Sequence, residues 1–178
     1  LSFDLKSQDI LAMVGGYNFE RNEFNRALQA TRQTGSSFKP LVYAAALDNG
    51  YSPNRVIIDA PLVYEFEAPP EEGGTTSGDG ETKKWKPGNY GKTFGGDVLF
   101  RNALISSLNI PTVKIMEDAT VSIVADYAKR LGVFSPLNMD LGMGLGSSSV
   151  TLYEMTKVFA HFARLGKRIS PLLIRKVK

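Results

Sequence analysis

The chain has 178 residues, 43% of them hydrophobic and 22% charged, with a net charge of +3, which fits one globular domain with a sizeable core. It holds no cysteine and a single histidine, so disulfides, a thiolate nucleophile and a multi-histidine or cysteine metal site are excluded, and no cofactor or metal is expected. The positive excess is small and forms no basic stripe interleaved with aromatics, so nucleic acid is not an expected partner.

Leu1, Phe3 and Leu5 alternate with polar residues, Ser7-Gln8-Asp9 reads as a turn, and a second apolar run over 10–14 closes at Gly15-Gly16; together they predict a β-hairpin. Residues 17–34 are polar and read as an irregular connection. Gly35-Ser36 opens a helix through Leu47 that Asn49-Gly50 stops, and its apolar surface nearly all round predicts burial. Residues 52–64 read as extended, and 67–84, rich in Pro, Glu, Gly, Thr and Ser, as a flexible surface insertion without packed structure. Order resumes at Trp85-Lys86-Pro87-Gly88-Asn89-Tyr90.

Asp97 is placed to cap a helix running to about Leu108, and Pro111 suits the first turn of the next one. A further helix covers about 121–131 and ends at Gly132. Thr151-Leu152-Tyr153-Glu154 has the form of a capping box, with Val150 and Met155 as its hydrophobic staple. Leu152, Met155, Phe159, Phe162 and Leu165 are expected on one buried face of that helix, and 169–177 is expected to begin another strand. No repeat is evident, and no apolar run is long enough to span a membrane. No signal peptide is visible. The chain opens straight into a strand pattern, so it is expected to be cut from a longer protein with its targeting signals upstream.

The richest chemistry lies in Gly35-Ser36-Ser37-Phe38-Lys39-Pro40. Ser36 and Lys39, three apart, share one face of a helix. A serine hydroxyl is a weak nucleophile until a base takes its proton, and a lysine serves when burial or a nearby cation lowers its pKa. Taken alone, these six residues also fit a plain helix cap beside a solvated lysine. Ser107-Leu108-Asn109 stands at a helix end before Ile110-Pro111; a hydroxyl there can pass a proton and an amide can hold a substrate carbonyl and a lysine together, though an ordinary helix terminus has the same composition. The alternating Gly142, Gly144 and Gly146 lack the spacing and lysine of a phosphate loop. His161 reads as surface or core filler.

Ser-x-x-Lys followed by Ser-x-Asn is a pattern of β-lactamases and penicillin-binding proteins. At length, the chain resembles the transpeptidase domain of class A bifunctional penicillin-binding proteins. Ala12 to Tyr17, Asn25-Arg26-Ala27, Arg32 to Pro40, Trp85 to Tyr90, Ser107 to Pro111 and Leu145 to Thr151 carry the resemblance, in order. It implies an α+β, β-lactamase/transpeptidase-like fold over 1–178: an antiparallel sheet flanked by helices, with a helical subdomain holding Ser107 and the active serine between the two. It implies Ser36 as the serine acylated by the D-Ala-D-Ala end of a peptidoglycan stem peptide, or covalently by β-lactam antibiotics. Lys39 would be its base, Ser107 a proton relay and Asn109 the orienting amide, with the Ser36 N–H as an oxyanion donor. Trp85 and Asn89 are candidate substrate contacts, core packing being the stronger alternative for Trp85. The implied setting is the bacterial cell envelope, on the outer face of the cytoplasmic membrane, with a glycosyltransferase domain and membrane anchor upstream.

The family's Lys-Thr-Gly motif occurs nowhere in the chain; Lys92-Thr93-Phe94 lacks the glycine. The C-terminal sheet strands that bear it, and the second oxyanion donor, are therefore expected to be absent, and this polypeptide alone is expected to be inactive. A class A β-lactamase would need Glu-x-x-Leu-Asn, but Phe134 precedes Leu137-Asn138 where the glutamate would stand. A β-lactam sensor or non-catalytic scaffold of the same fold is the alternative reading.

Overall fold

The computed structural model describes residues 1–67 and 82–177. The strands are β1 (Ser2–Phe3), β2 (Ile10–Ala12), β3 (Thr31–Gln33), β4 (Val56–Asp59), β5 (Tyr64–Glu67), β6 (Thr82–Trp85), β7 (Gly96–Leu99) and β8 (Ser149–Thr151). The helices are α1 (Lys39–Asp48), α2 (Phe100–Ile105), α3 (Asn109–Ala119), α4 (Val121–Arg130) and α5 (Leu152–Ala163), with 3-10 turns at Gly35–Phe38 and Leu141–Leu145. Among the described residues the strands pair as four two-stranded antiparallel ladders, β1–β2, β3–β8, β4–β7 and β5–β6, in place of the single larger sheet expected.

The core forms around α1. Leu41, Val42, Tyr43, Ala45 and Ala46 are all buried, against Ile115 and Met116 of α3, Val124 and Ala128 of α4, and Phe100 of α2. A helix surrounded in this way has no polar face to present, which is why its sequence is apolar nearly all round. Pro40 sits in its first turn, where a missing N–H costs nothing. At the other end Asn49 and Gly50 donate to carbonyls of the last turn, with Gly50 at φ +89°. Tyr43 lies 4.7 Å from the Phe100 ring and 3.4 Å by its hydroxyl from Thr112 Oγ1, which locks α1 to α2 and α3.

The capping box of α5 is present: Thr151 Oγ1 accepts from Glu154 N, and Glu154 Oε2 accepts from Thr151 N. Glu154 also reaches outside its helix, accepting from the Phe134 and Ser135 N–H groups and the Ser135 hydroxyl. Burial pushes its carboxyl upward, but the bonds from Ser135, Thr151 and Phe134 outweigh that and hold it at about 2.

Several expectations are corrected. Residues 31–33, expected in an irregular connection, form β3; all three are exposed and none is apolar, so no periodicity marks a strand made purely by backbone pairing with β8. Asp97 caps nothing: it pairs with Ile58 inside the β4–β7 ladder. The following helix starts at Phe100, whose N–H is taken by the Arg55 carbonyl, and stops at Ile105, short of Leu108. Glu67 and Thr82–Lys84, placed in the flexible insertion, belong to the β5–β6 ladder, where Tyr64 stacks on Trp85 and Lys84 pairs with Glu65; the rest of that insertion, 68–81, lies outside the described residues. On α5 the buried residues are Glu154, Met155, Val158, Ala160 and His161, whereas Leu152, Phe159 and Leu165 are exposed, so the buried stripe is rotated from the one read in the sequence. Residues 169–177 make only a single bridge, Leu172 with Asp9. His161 proves to be core: Nδ1 lies 2.8 Å from the Lys157 carbonyl and Nε2 accepts from Ile169 N.

Candidate active site

Lys39 is the first residue of α1, and its N–H donates to the carbonyl of Ser36 one turn before. The 3-10 turn thus delivers both groups from one continuous backbone. Ser36 is exposed, whereas Lys39 is 1% exposed. Among the described residues the Ser36 N–H donates to no protein carbonyl, so it is available to an oxygen arriving from outside.

Three acceptors meet the Lys39 ammonium. Nζ lies 2.5 Å from the Ser107 carbonyl, 3.1 Å from Ser107 Oγ and 2.7 Å from Asn109 Oδ1. Three N–H donors therefore find three partners. Burial away from water nevertheless dominates and brings the lysine down from its ordinary value to about 8. At pH 7 roughly a tenth of it is then the neutral amine, a far larger share than an exposed lysine offers. Of the three partners, only the Ser107 hydroxyl can both accept and donate; the two carbonyl oxygens can only accept. Ser107 Oγ is thus the one partner through which a proton can leave the amine for a third group.

Ser107 occupies this place through its backbone. Its φ is +51°, a left-handed conformation that a non-glycine residue adopts at a cost. The kink ends α2, starts α3 two residues later, and brings the residue's carbonyl and hydroxyl together onto Lys39. Asn109 then opens α3 with Oδ1 on Lys39 and Nδ2 on the Gly88 carbonyl at 2.7 Å. Since Gly88 offers only an acceptor, the carboxamide is held with its oxygen toward the lysine.

Of the sequence-derived residues, Lys39, Ser107 and Asn109 are bonded together where the start of α1 meets the α2–α3 link, and Ser36 stands one turn before Lys39 on the same backbone. Of the two candidate substrate contacts, Asn89 touches this group through the Asn109 N–H. Trp85 stacks on Tyr64 at 5.6 Å, as part of the β5–β6 ladder. The expectation for Asn89 is corrected: its side chain is buried and fully engaged by the protein. Nδ2 donates to Asp59 and the Thr93 carbonyl, and Oδ1 accepts from the Asn109 and Ile110 N–H groups. Two contributors were missed. Asp59 is a buried carboxylate whose signal lay in β4, where it takes the inward phase after Ile57. Gly146 lies against the Gly35–Phe38 turn, its carbonyl accepting from Gly35 N at 3.2 Å. A Cβ there would stand 2.1 Å from the Gly35 carbonyl oxygen, and φ is +79°, so only glycine permits this approach.

Comparison with known proteins places these observations. The family described as penicillin binding protein transpeptidase domain matches residues 2–178. Penicillin-binding protein 1A of Pseudomonas aeruginosa is 33% identical over the whole chain, and that of Neisseria meningitidis 35% identical over 99% of it. The chain spans only 20% and 21% of those relatives' lengths. The crystal structure of penicillin-binding protein 1A from Haemophilus influenzae superimposes with a TM-score of 0.70 at 31% identity, covering 84% of this chain and 20% of that one. PonA1 from Mycobacterium tuberculosis in complex with penicillin V gives 0.69 at 26% identity, over 88% of this chain and 40% of that one. The β-lactamase-like arrangement expected of the fold agrees with these neighbours, with the strands divided into short ladders.

Proposed function

Because this chain belongs to the penicillin-binding protein transpeptidase family, we propose that it carries the acylating side of a peptidoglycan cross-linking site, with Ser36 as nucleophile. The observation that carries the reading is the buried Lys39 amine, one turn from Ser36 and held by Ser107 and Asn109. In the proposed reaction neutral Lys39 takes the Ser36 proton as Oγ bonds to the carbonyl carbon of the penultimate D-Ala. The Ser36 N–H supports the oxyanion. The C–N bond to the terminal D-Ala then breaks, and the leaving amine receives the proton from Lys39 through the Ser107 hydroxyl. An amine from a second stem peptide attacks the ester, gives up its proton by the same route, and frees Ser36 with a cross-link formed.

A β-lactam would enter the same sequence, but its leaving nitrogen stays tethered by the ring, so no product departs and the serine remains acylated. The penicillin V complex of PonA1 supports this extension. For the full-length protein we propose the cell envelope as the setting and a peptidoglycan glycosyltransferase as the accompanying activity, as the class A resemblance implies.

The test is turnover. The full-length protein, given a stem peptide ending in D-Ala-D-Ala and an acceptor amine, is expected to release one D-Ala per cross-link. Ser36→Ala is expected to release none. Equal release from both proteins would overturn the reading.

A further inference from the structure

Asp59 and Asn89, outside the reacting quartet, join β4 to the start of α3 in one connected chain of bonds. Asp59, at the end of β4, is 1% exposed. Its carboxylate accepts from Asn89 Nδ2 at 2.8 and 2.9 Å and from Gly95 N at 2.8 Å. Asn89 Oδ1 in turn accepts from Asn109 N at 2.8 Å and Ile110 N at 3.2 Å. These are the first two N–H groups of α3, orphans by the geometry of any helix start, and Leu108 at the N-cap offers no side-chain acceptor. Asn89 therefore caps α3 from another segment, while its neighbour Gly88 fixes the Asn109 carboxamide.

A carboxamide can be turned either way, and the wrong way would set an NH2 group against two backbone N–H donors. An acceptor-only carboxylate on the far side removes the choice, because only the NH2 can face it. Resting on the acyl-transfer reading above, we propose that Asp59 and Asn89 are positioning residues for acylation: the buried carboxylate sets the orientation of Asn89, Asn89 seats the start of α3, and α3 places Asn109 against Lys39. Neither residue touches a reacting atom.

The pair can be tested by exchange. Asp59→Asn is nearly isosteric but leaves one donor facing Asn89 or Gly95 without an acceptor. Asn89→Asp sets two carboxylates against each other. With both substitutions together, the carboxylate lies against α3 and the amide bridges it to Gly95, so the donor–acceptor order is restored at β4, Gly95 and α3, and only the Thr93 carbonyl loses its donor. In the full-length protein, the first-order acylation step by a fluorescent penicillin is expected to fall about ten- to a hundredfold in each single variant, as a displaced reacting group would cause. The dissociation constant of the preceding complex should change by less than about threefold, and the double variant should recover part of the loss of either single one, the unpaired Thr93 carbonyl holding back the rest. Amine labelling of Lys39 across pH gives a readout that needs no acylation: Asp59→Asn should move its midpoint upward from about 8 as water reaches the loosened site. Acylation of the wild type lost in Ser36→Ala upholds the parent reading whatever these variants do. A double variant as slow as, or slower than, the worse single one overturns the proposal, as does an Asp59→Asn protein with wild-type acylation and an unmoved Lys39 midpoint.

Discussion

Lys39 has two demands placed on it that conflict. In the proposed role of base it must lie out of water, yet an ammonium buried without partners is costly. Ser107 and Asn109 answer the second demand with three acceptors, while burial still brings the amine to about 8. Because the lowered form is the protonated one, the share of neutral lysine grows as pH rises through 8. The acylation rate at subsaturating penicillin is therefore expected to climb with pH and level off above that value. A profile flat between pH 7 and 9 would exclude Lys39 as the base. Lys39→Ala should slow acylation by about 10²–10⁴-fold, the range of general base catalysis, and Ser107→Ala by less, since its loss leaves the base in place. Stopped-flow labelling reads both. The meeting of Lys39 with Ser107 and Asn109 was anticipated from Ser-x-x-Lys and Ser-x-Asn taken together with the family resemblance, each pattern alone fitting a plain helix terminus as well. The left-handed Ser107 was not, since serine has no residue-level preference for φ +51°.

At the scale of elements, legibility followed from where the stabilising partner lies. The buried α1 and the Thr151–Glu154 capping box are written in adjacent residues, and both were found. β3 is written in its partner β8, 120 residues away at the Thr31–Thr151 pair, and α2 is started by the Arg55 carbonyl, so neither left a local mark. Asn89, expected as a substrate contact, is engaged instead by the distant Asp59 and by α3, partners that no adjacent residue announces. Two predictions belong here. Gly146→Ala would drive a methyl group into the Gly35 backbone. It should cost about 1–3 kcal/mol of stability and slow acylation as well, because the same turn carries Ser36; unchanged melting and unchanged labelling would contradict the clamp. Glu154, held at about 2 against an ordinary 4.5, contributes stability that is present above pH 4.5 and lost as pH falls toward 2. Glu154→Gln should therefore lower the melting temperature at neutral pH and flatten the acid limb of the stability profile, as read by thermal melts from pH 7 to 2. An acid limb as steep as that of the wild type would assign the loss to other carboxylates.

On the scale of the whole molecule, α1, α3 and α4 form a connected core whose purpose in the site is to hold the α2–α3 link against the first turn of α1. In the proposed reaction the oxyanion donor named among the described residues is the Ser36 N–H, and Lys-Thr-Gly occurs nowhere in the 178 residues. Residues 1–178 expressed alone are accordingly predicted to label with penicillin about 10²–10³-fold more slowly than the full-length protein, the usual effect of one missing oxyanion donor; equal rates would make a second donor unnecessary. The central claim, that Ser36 is the acylated nucleophile, is tested most directly by mapping the covalent adduct. Full-length protein treated with penicillin and digested should yield a single modified peptide, heavier by one intact penicillin, with fragment ions that place the added mass on Ser36. An adduct on Ser37, Ser107 or any other residue would contradict it.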